Sequence, residues 1–150
     1  MEVHVKNLQS KVYVNLCEIE RSLAQIKRIL NCTAKRIDII LIDDEGIRSF
    51  NRRYLQRDTP TNVLAFSLQE GEFANINPSI LGDVIISVET ARRDALSGEM
   101  PLADMIDFLM IHGILHLLGY DHEKDEIRAS KMIKKQQEVF GILHDYTLED

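Results

Sequence analysis

The chain has 150 residues, of which 45% are hydrophobic and 28% are charged. These values suit one compact globular domain that builds its core without disulfide bonds, so we expect residues 1–150 to form a single domain. The formal net charge of −6 argues against indiscriminate binding of nucleic acid, because phosphates call for a basic surface.

The N-terminal sequence MEVHVKNLQS lacks the apolar core of a signal peptide. No apolar run approaches the ~20 residues that a membrane span needs. We therefore expect a cytoplasmic protein. The two cysteines, Cys17 and Cys32, show no CxxC spacing and are expected to be reduced, buried thiols.

The first part of the chain predicts two strands and two helices. Alternation of apolar and polar residues indicates the first strand, and an isoleucine-rich run indicates the second. Apolar residues at steps of three and four indicate a helix between these strands, which we expect Ser10 to cap. The predicted elements are a strand at 2–7, a helix at 11–30, a strand at 36–42 and a helix from 43 or 44 to 55.

The second part predicts two more strands and three helices. Pro101 suits the first turn of a helix that is apolar nearly all round, and Gly119 suits its end. The expected fold is α+β, with a small mixed four-stranded sheet packed with about five helices and the apolar helix central. The predicted elements are strands at 62–67 and 82–88 and helices at 89–97, from 101 through 115, and at 123–140.

Three of the five histidines, His112, His116 and His122, fall within eleven residues. On a helix, His112 and His116 lie on one face with their rings close together, which is the spacing that grips one zinc ion. Gly119 permits a positive φ, so the chain can reverse and carry His122 back towards the same point. The sequence therefore predicts a three-histidine metal site.

Three nitrogen ligands leave one position of a tetrahedral zinc site for water, which favours catalysis over a structural role. Zinc lowers the pKa of a bound water to about 7 and polarises a carbonyl or phosphoryl oxygen. The alternative is that the histidines only pack in a buried helix, but their ring nitrogens would then be unsatisfied. Imidazole also suits nickel and other divalent ions, so the spacing does not fix the metal.

The same stretch matches the metzincin protease signature HExxHxxGxxH at His112, His116, Gly119 and His122. It departs at Gly113, where the protease has the glutamate that acts as general base. Glycine has no side chain that can accept a proton. A zinc metallopeptidase-like hydrolase with metzincin-like site geometry is therefore the weaker alternative.

HGILHLLGYDH, at residues 112–122, closely resembles the HGxLHLxGYDH signature of the YbeY family, endoribonucleases of bacterial rRNA maturation. Upstream, DTPTNVLAFS resembles the family's D-x-x-T-[DN]-V-L-S-F segment, and LGDVIIS resembles its L-G-D-[IV]-x-I segment. The order and spacing of the three segments agree, so the resemblance covers about residues 36–140.

The resemblance implies a single-strand-specific endoribonuclease whose three histidines hold Zn²⁺. It implies action at the 3′ end of small-subunit (16S) rRNA and in ribosome quality control. The implied partners are rRNA, the small ribosomal subunit, a ribosomal protein and a maturation GTPase. A non-catalytic ribosome assembly factor with a structural zinc is a further alternative.

The family also has an arginine directly after a tyrosine, in a Y-R-x-x-D pattern, where this chain reads YLQRD and places Leu55. Arg57, or Arg53 before the tyrosine, is the candidate replacement. A guanidinium at Arg57 matches phosphate oxygens in a bidentate fork, although a solvated loop arginine is the alternative. The solvent-exposed face of a helix is a better interpretation than a binding surface for Arg48, Arg52 and Arg53.

Asp121 stands beside His122 and is the second candidate catalytic residue. It suits the role of a partner that orients a ligand imidazole, although it could equally stabilise the turn. The general base stays open between Asp121, Glu123 and the phosphate of the substrate. The attacking group is either water or the ribose 2′-OH.

Overall fold

The computed structural model describes residues 4–56, 61–67, 79–120 and 125–148. These residues form a four-stranded mixed sheet and five helices, which confirms the predicted α+β architecture. In chain order the elements are β1 (His4–Asn7), α1 (Leu16–Ile29), β2 (Arg36–Ile42), α2 (Asp44–Leu55), β3 (Val63–Ser67), β4 (Ile80–Ser87), α3 (Val88–Ser97), α4 (Leu102–Leu117) and α5 (Glu126–Leu148).

The sheet has the strand order β1-β2-β4-β3. The first three of these strands are parallel, and β3 is antiparallel to β4 at the edge. Alternate residues of β2 point to opposite faces: Ile37 and Ile39 join the larger core with α1, α4 and α5, whereas Ile42 joins a smaller core with Ile47 of α2. Helices α2 and α4 therefore pack on opposite faces of the sheet.

The first helix begins at Leu16, later than predicted, and Ser10 does not cap it. The side chain of Gln9 accepts the backbone N–H of Val12 at 2.9 Å and donates to its carbonyl oxygen at 2.8 Å. This turn engages the backbone where the helix was expected to start. The cap is instead Asn15, whose side-chain oxygen accepts a backbone N–H of the first turn.

Helix α4 ends as predicted at a glycine with positive φ. Gly119 has a φ of 102°, and its N–H donates to the carbonyl of His116 at 3.0 Å. The N–H of Tyr120 donates to the carbonyl of Leu115 at 2.9 Å, which completes a Schellman motif. At the other end, Pro101 occupies the N-cap position rather than the first turn, since its ψ is 149°.

The last helix is longer than predicted. It runs from Glu126 to Leu148, through Gly141, instead of ending at Phe140. Its buried side chains, including Val139 and Leu143, belong to the same core as α1 and α4. Tertiary packing therefore extends the helix through a residue of poor helix propensity.

The two cysteines differ in their surroundings. Cys32 is buried, as expected, but Cys17 is exposed, so the expectation of two buried thiols is wrong for Cys17. The buried face of α1 carries Ile19, Leu23 and Ile26. Cys17 lies two residues before Ile19, which places it on the other side of the helix.

No single helix of the described ranges is both long and apolar enough to cross a membrane. Helices α3 and α4 pass that test only as a pair that is bent by 113°. Helix α4 is apolar nearly all round because it lies inside the core, where Met110, Ile111 and Ile114 are fully buried.

Candidate metal centre

The structure brings together two of the three predicted metal ligands. His112 and His116 lie on one face of α4, with ring centroids 4.8 Å apart and an angle of 73° between the ring planes. Imidazoles this close can bind one ion from the same helix face. The third predicted ligand, His122, and the predicted catalytic residues Arg57 and Asp121 lie outside the described residues, so their roles stay predictions.

Gln136 of α5 contacts the His112 ring at its Nδ1 atom. Its Oε1 lies 3.3 Å from Nδ1 of His112, and the Gln136 residue is only 5% exposed. An amide oxygen only accepts hydrogen bonds, so the contact is a hydrogen bond in the tautomer that carries the ring proton on Nδ1, and in that tautomer Nε2 has a lone pair for a metal. Metal-binding histidines are commonly oriented in this way. The donor set therefore fits a metal ion.

Sequence reasoning missed Gln136. The contact joins residues 24 positions apart, from two different helices. Only the packing of α5 against α4 creates it. The one available signal was a glutamine on the apolar side of a predicted helix, and that signal names no partner.

Gly113 lies between the two histidines, where α4 packs against Val84 of β4. A Cβ atom placed on Gly113 would lie 2.5 Å from Cγ1 and 2.9 Å from Cγ2 of Val84 in β4. Val84 is fully buried and cannot swing away. The position that holds the metzincin glutamate is therefore closed to any side chain, which supports the prediction that a peptidase base is absent here.

A family model described as Endoribonuclease YbeY matches residues 4–144. The chain belongs to the YbeY endoribonuclease family. The Endoribonuclease YbeY of Syntrophus aciditrophicus is 47% identical over 150 residues, covering 99% of this chain and 94% of the relative. That of Syntrophotalea carbinolica is 40% identical over 144 residues, covering 95% and 96%.

A solved structure shares the YbeY-like fold of this chain. The solution structure of a Thermotoga maritima protein superimposes with a TM-score of 0.69 at 20% identity, covering 99% of this chain and 93% of that one. At this identity the likeness concerns the fold alone. The resemblance identified from the histidine motif is confirmed by the family match, and neither a metallopeptidase nor a non-catalytic assembly factor is favoured.

The departure from the YbeY pattern at Leu55 is visible at the end of α2. Leu55 is 47% exposed, and Arg53 is exposed beside it. Helix α2 packs on the sheet face opposite α4, which carries the histidines. Arg57 lies outside the described residues, so the choice between Arg57 and Arg53 as the replacement for the family arginine stays a prediction.

A second cluster of potential metal ligands was not predicted from the sequence. Nε2 of His144 lies 3.9 Å from Oδ1 of Asp104 and 3.8 Å from Oδ2 of Asp107. The three ligand atoms all lie within 4.8 Å of one another. These residues could hold a metal ion, and they join the N-terminal half of α4 to the C-terminal half of α5.

Asp107 is the most perturbed acid of this cluster. Burial, with a smaller contribution from the nearby carboxylates of Asp104 and Glu18, raises the pKa of its carboxyl from 3.8 to about 7. A hydrogen bond from Ser22 opposes this shift. The sequence signal was a charged residue within an otherwise apolar helix, but its partner His144 could not be identified without the fold.

Proposed function

We propose that this chain is a zinc-dependent, single-strand-specific endoribonuclease that acts at the 3′ end of small-subunit rRNA and in ribosome quality control. We further propose that residues 1–150 form one catalytic domain. The observation that carries the proposal is the pair of imidazoles on α4, His112 and His116, with Gln136 behind His112. The pair lies inside the segment that matches the YbeY family.

In this proposal His112, His116 and His122 hold the zinc ion. The ring of His112 is oriented by the contact of its Nδ1 with Gln136, which leaves Nε2 for the metal. When bound, zinc supplies Lewis acidity towards phosphate oxygen and a lower pKa for water. The protein contributes the spacing of the two rings on α4, and Gly113 between them allows that helix turn to pack directly against Val84.

Arg57 and Asp121 are the proposed catalytic residues. The guanidinium of Arg57 binds non-bridging phosphate oxygens in a bidentate fork and stabilises the negative charge that grows on them during cleavage. The carboxylate of Asp121 orients a ligand imidazole or accepts the proton of the attacking oxygen. Glu123 and the phosphate of the substrate are the other candidates for that proton, since Gly113 offers no acceptor.

The acidic net charge of −6 bears on how the protein finds RNA. A chain with this charge gains little from the counterion release that drives non-specific binding of nucleic acid. We propose that the small ribosomal subunit, with a ribosomal protein and a maturation GTPase, delivers the substrate. We also propose that the protein works in the cytoplasm, where these partners reside.

A substrate comparison tests the proposal. Zinc-loaded protein is given a single-stranded RNA, the same RNA in a duplex, and an unstructured peptide. We expect cleavage of the single strand alone. His116→Ala should reduce the rate by on the order of 100-fold or more, because the metal site is lost. The control His4→Ala, in β1, should cleave normally.

Two outcomes contradict the proposal. One is cleavage of the peptide while the RNA stays intact. The other is a His116→Ala variant that keeps the wild-type circular dichroism spectrum and also keeps full RNA cleavage. Circular dichroism of each variant separates a lost site from a lost fold.

A further inference from the structure

We propose that Asp104, Asp107 and His144 bind a second divalent transition-metal ion, at a site separate from His112 and His116. Asp104 and Asp107 are one turn apart on α4. Asp107 lies about 7.5 Å along the helix axis from His112, at 1.5 Å per residue. The proposed site therefore lies in the N-terminal half of α4, and its ligands are separate from the proposed catalytic metal ligands.

The separations in this cluster suit coordination better than hydrogen bonding. Nε2 of His144 lies 3.9 Å and 3.8 Å from the nearest oxygens of Asp104 and Asp107. A hydrogen bond would bring such atoms to about 3 Å. Two ligand atoms on one tetrahedral ion, with bonds of about 2.1 Å, lie about 3.4 Å apart. Small side-chain movements would bring both nitrogen–oxygen pairs to that spacing.

The electrostatics of the surrounding cleft favour a cation. The cleft has a volume of about 470 Å³ and is lined by three carboxylates, those of Glu18, Asp104 and Asp107, but by one arginine, Arg21. Asp107 is only 9% exposed. Burying a carboxylate beside two others is costly unless a proton or a positive charge compensates it, and a divalent ion supplies such a charge. The cleft gives such an ion and its waters a path from solvent.

The His144 ring is held in place by its own helix. The rings of Phe140 and His144 lie 4.1 Å apart between centroids, with 37° between their planes. Packing of this kind restricts the imidazole before any ion binds. Nε2 then points at the two carboxylates of α4.

The donor set selects the class of ion. One imidazole nitrogen with two carboxylates suits Zn²⁺, Mn²⁺ or Co²⁺, whereas Mg²⁺ and Ca²⁺ prefer oxygen ligands alone. An ion here would clamp α5 onto α4. Because α5 also carries Gln136, the clamp would support the helix that orients His112.

The alternative is a cluster without a metal, in which a protonated His144 forms ion pairs with the two aspartates. A full-length His112→Ala/His116→Ala variant separates the two possibilities, because it removes the other metal site. After treatment with a chelator, this variant is titrated with Zn²⁺ by calorimetry and equilibrium dialysis. We expect one bound ion per chain and a melting temperature that rises with Zn²⁺.

Adding Asp107→Asn and His144→Gln to that variant should weaken Zn²⁺ binding at least tenfold and abolish the thermal shift. Asp107→Asn puts an amide of the same shape in place of the carboxylate and removes a buried charge, so the variant should fold. The control Asp145→Asn, an exposed acid next to His144, should bind Zn²⁺ like the parent. Circular dichroism confirms folding in each case.

Three results would overturn the proposal: no Zn²⁺ binding by the His112→Ala/His116→Ala variant, binding that is unchanged by Asp107→Asn/His144→Gln, or equal weakening by Asp145→Asn. None of these results bears on RNA cleavage. Conversely, loss of the proposed nuclease activity would leave this site untouched.

Discussion

Gly113→Ala is the substitution that most sharply tests how α4 is seated. It adds one methyl group where the helix packs against β4 of the sheet. That methyl would lie 2.5, 2.9 and 3.3 Å from the Cγ1, Cγ2 and Cβ atoms of Val84. Carbon atoms in contact normally lie about 3.5–4.0 Å apart, so α4 or β4 must move by about 1 Å.

The magnitude follows from two opposing effects. Overpacking a close-packed core costs about 1–3 kcal/mol, and the fully buried Val84 places Gly113 towards the upper end. Replacing glycine by alanine within a helix stabilises the folded state by about 1 kcal/mol, because alanine has the higher helix propensity. We therefore expect Gly113→Ala to lower the free energy of unfolding by about 1–2 kcal/mol and the melting temperature by about 3–6 °C.

Gly141→Ala is the matched control, because Gly141 is also within a helix but a Cβ there meets nothing within 4 Å. It should stabilise the protein by about 1 kcal/mol. Urea unfolding of both variants, and of Gly113→Ala in a Val84→Ala background, measures the effect. If Gly113→Ala stabilised the chain as much as Gly141→Ala, or if Val84→Ala gave it no relief, the packing argument would be refuted.

Three further predictions concern the sites. Gln136→Ala should weaken zinc binding, measured by calorimetric titration, about 10–100-fold because the His112 ring loses its hydrogen-bond partner. Gln137 is exposed, so the control Gln137→Ala should leave zinc binding unchanged. In metal-free protein, the pKa of Asp107 is about 7 in the folded chain and 3.8 in the unfolded chain. This difference contributes stability that is fully present below about pH 4 and is lost as the pH rises through about 7. Urea unfolding at several pH values should show that Asp107→Asn removes this decline. Arg57→Ala should slow RNA cleavage on the order of 100-fold without changing zinc content, whereas Arg53→Ala should not, and the reverse pattern would reassign the phosphate contact.

Much of the fold could be predicted because the local patterns are strong. The isoleucine-rich run at 36–42 has the bounds of β2, and the end of α4 at Gly119 follows from the φ that glycine allows. The start of α1 could not be predicted, because Gln9 binds the backbone of Val12 through a side chain with no fixed pattern. The length of α5 likewise depends on packing against α1 and α4.

The candidate site also has features that the sequence predicts and features that only the fold creates. The spacing of His112 and His116 on one helix is a local property, so the sequence predicts their proximity. Gln136 and the cluster of Asp107 with His144 depend on how α5 lies across α4, which no local pattern encodes. The need for glycine at 113 is also tertiary, since it arises from Val84 in a strand that precedes it by 29 positions.

The central claim is that three imidazoles hold one zinc ion. X-ray absorption at the zinc edge tests it directly, using the Asp107→Asn/His144→Gln variant so that one site remains. We predict a first shell with three imidazole nitrogens at about 2.0–2.1 Å, falling to two in His122→Ala. A shell that contains sulfur, or one that His122→Ala leaves unchanged, would contradict the account.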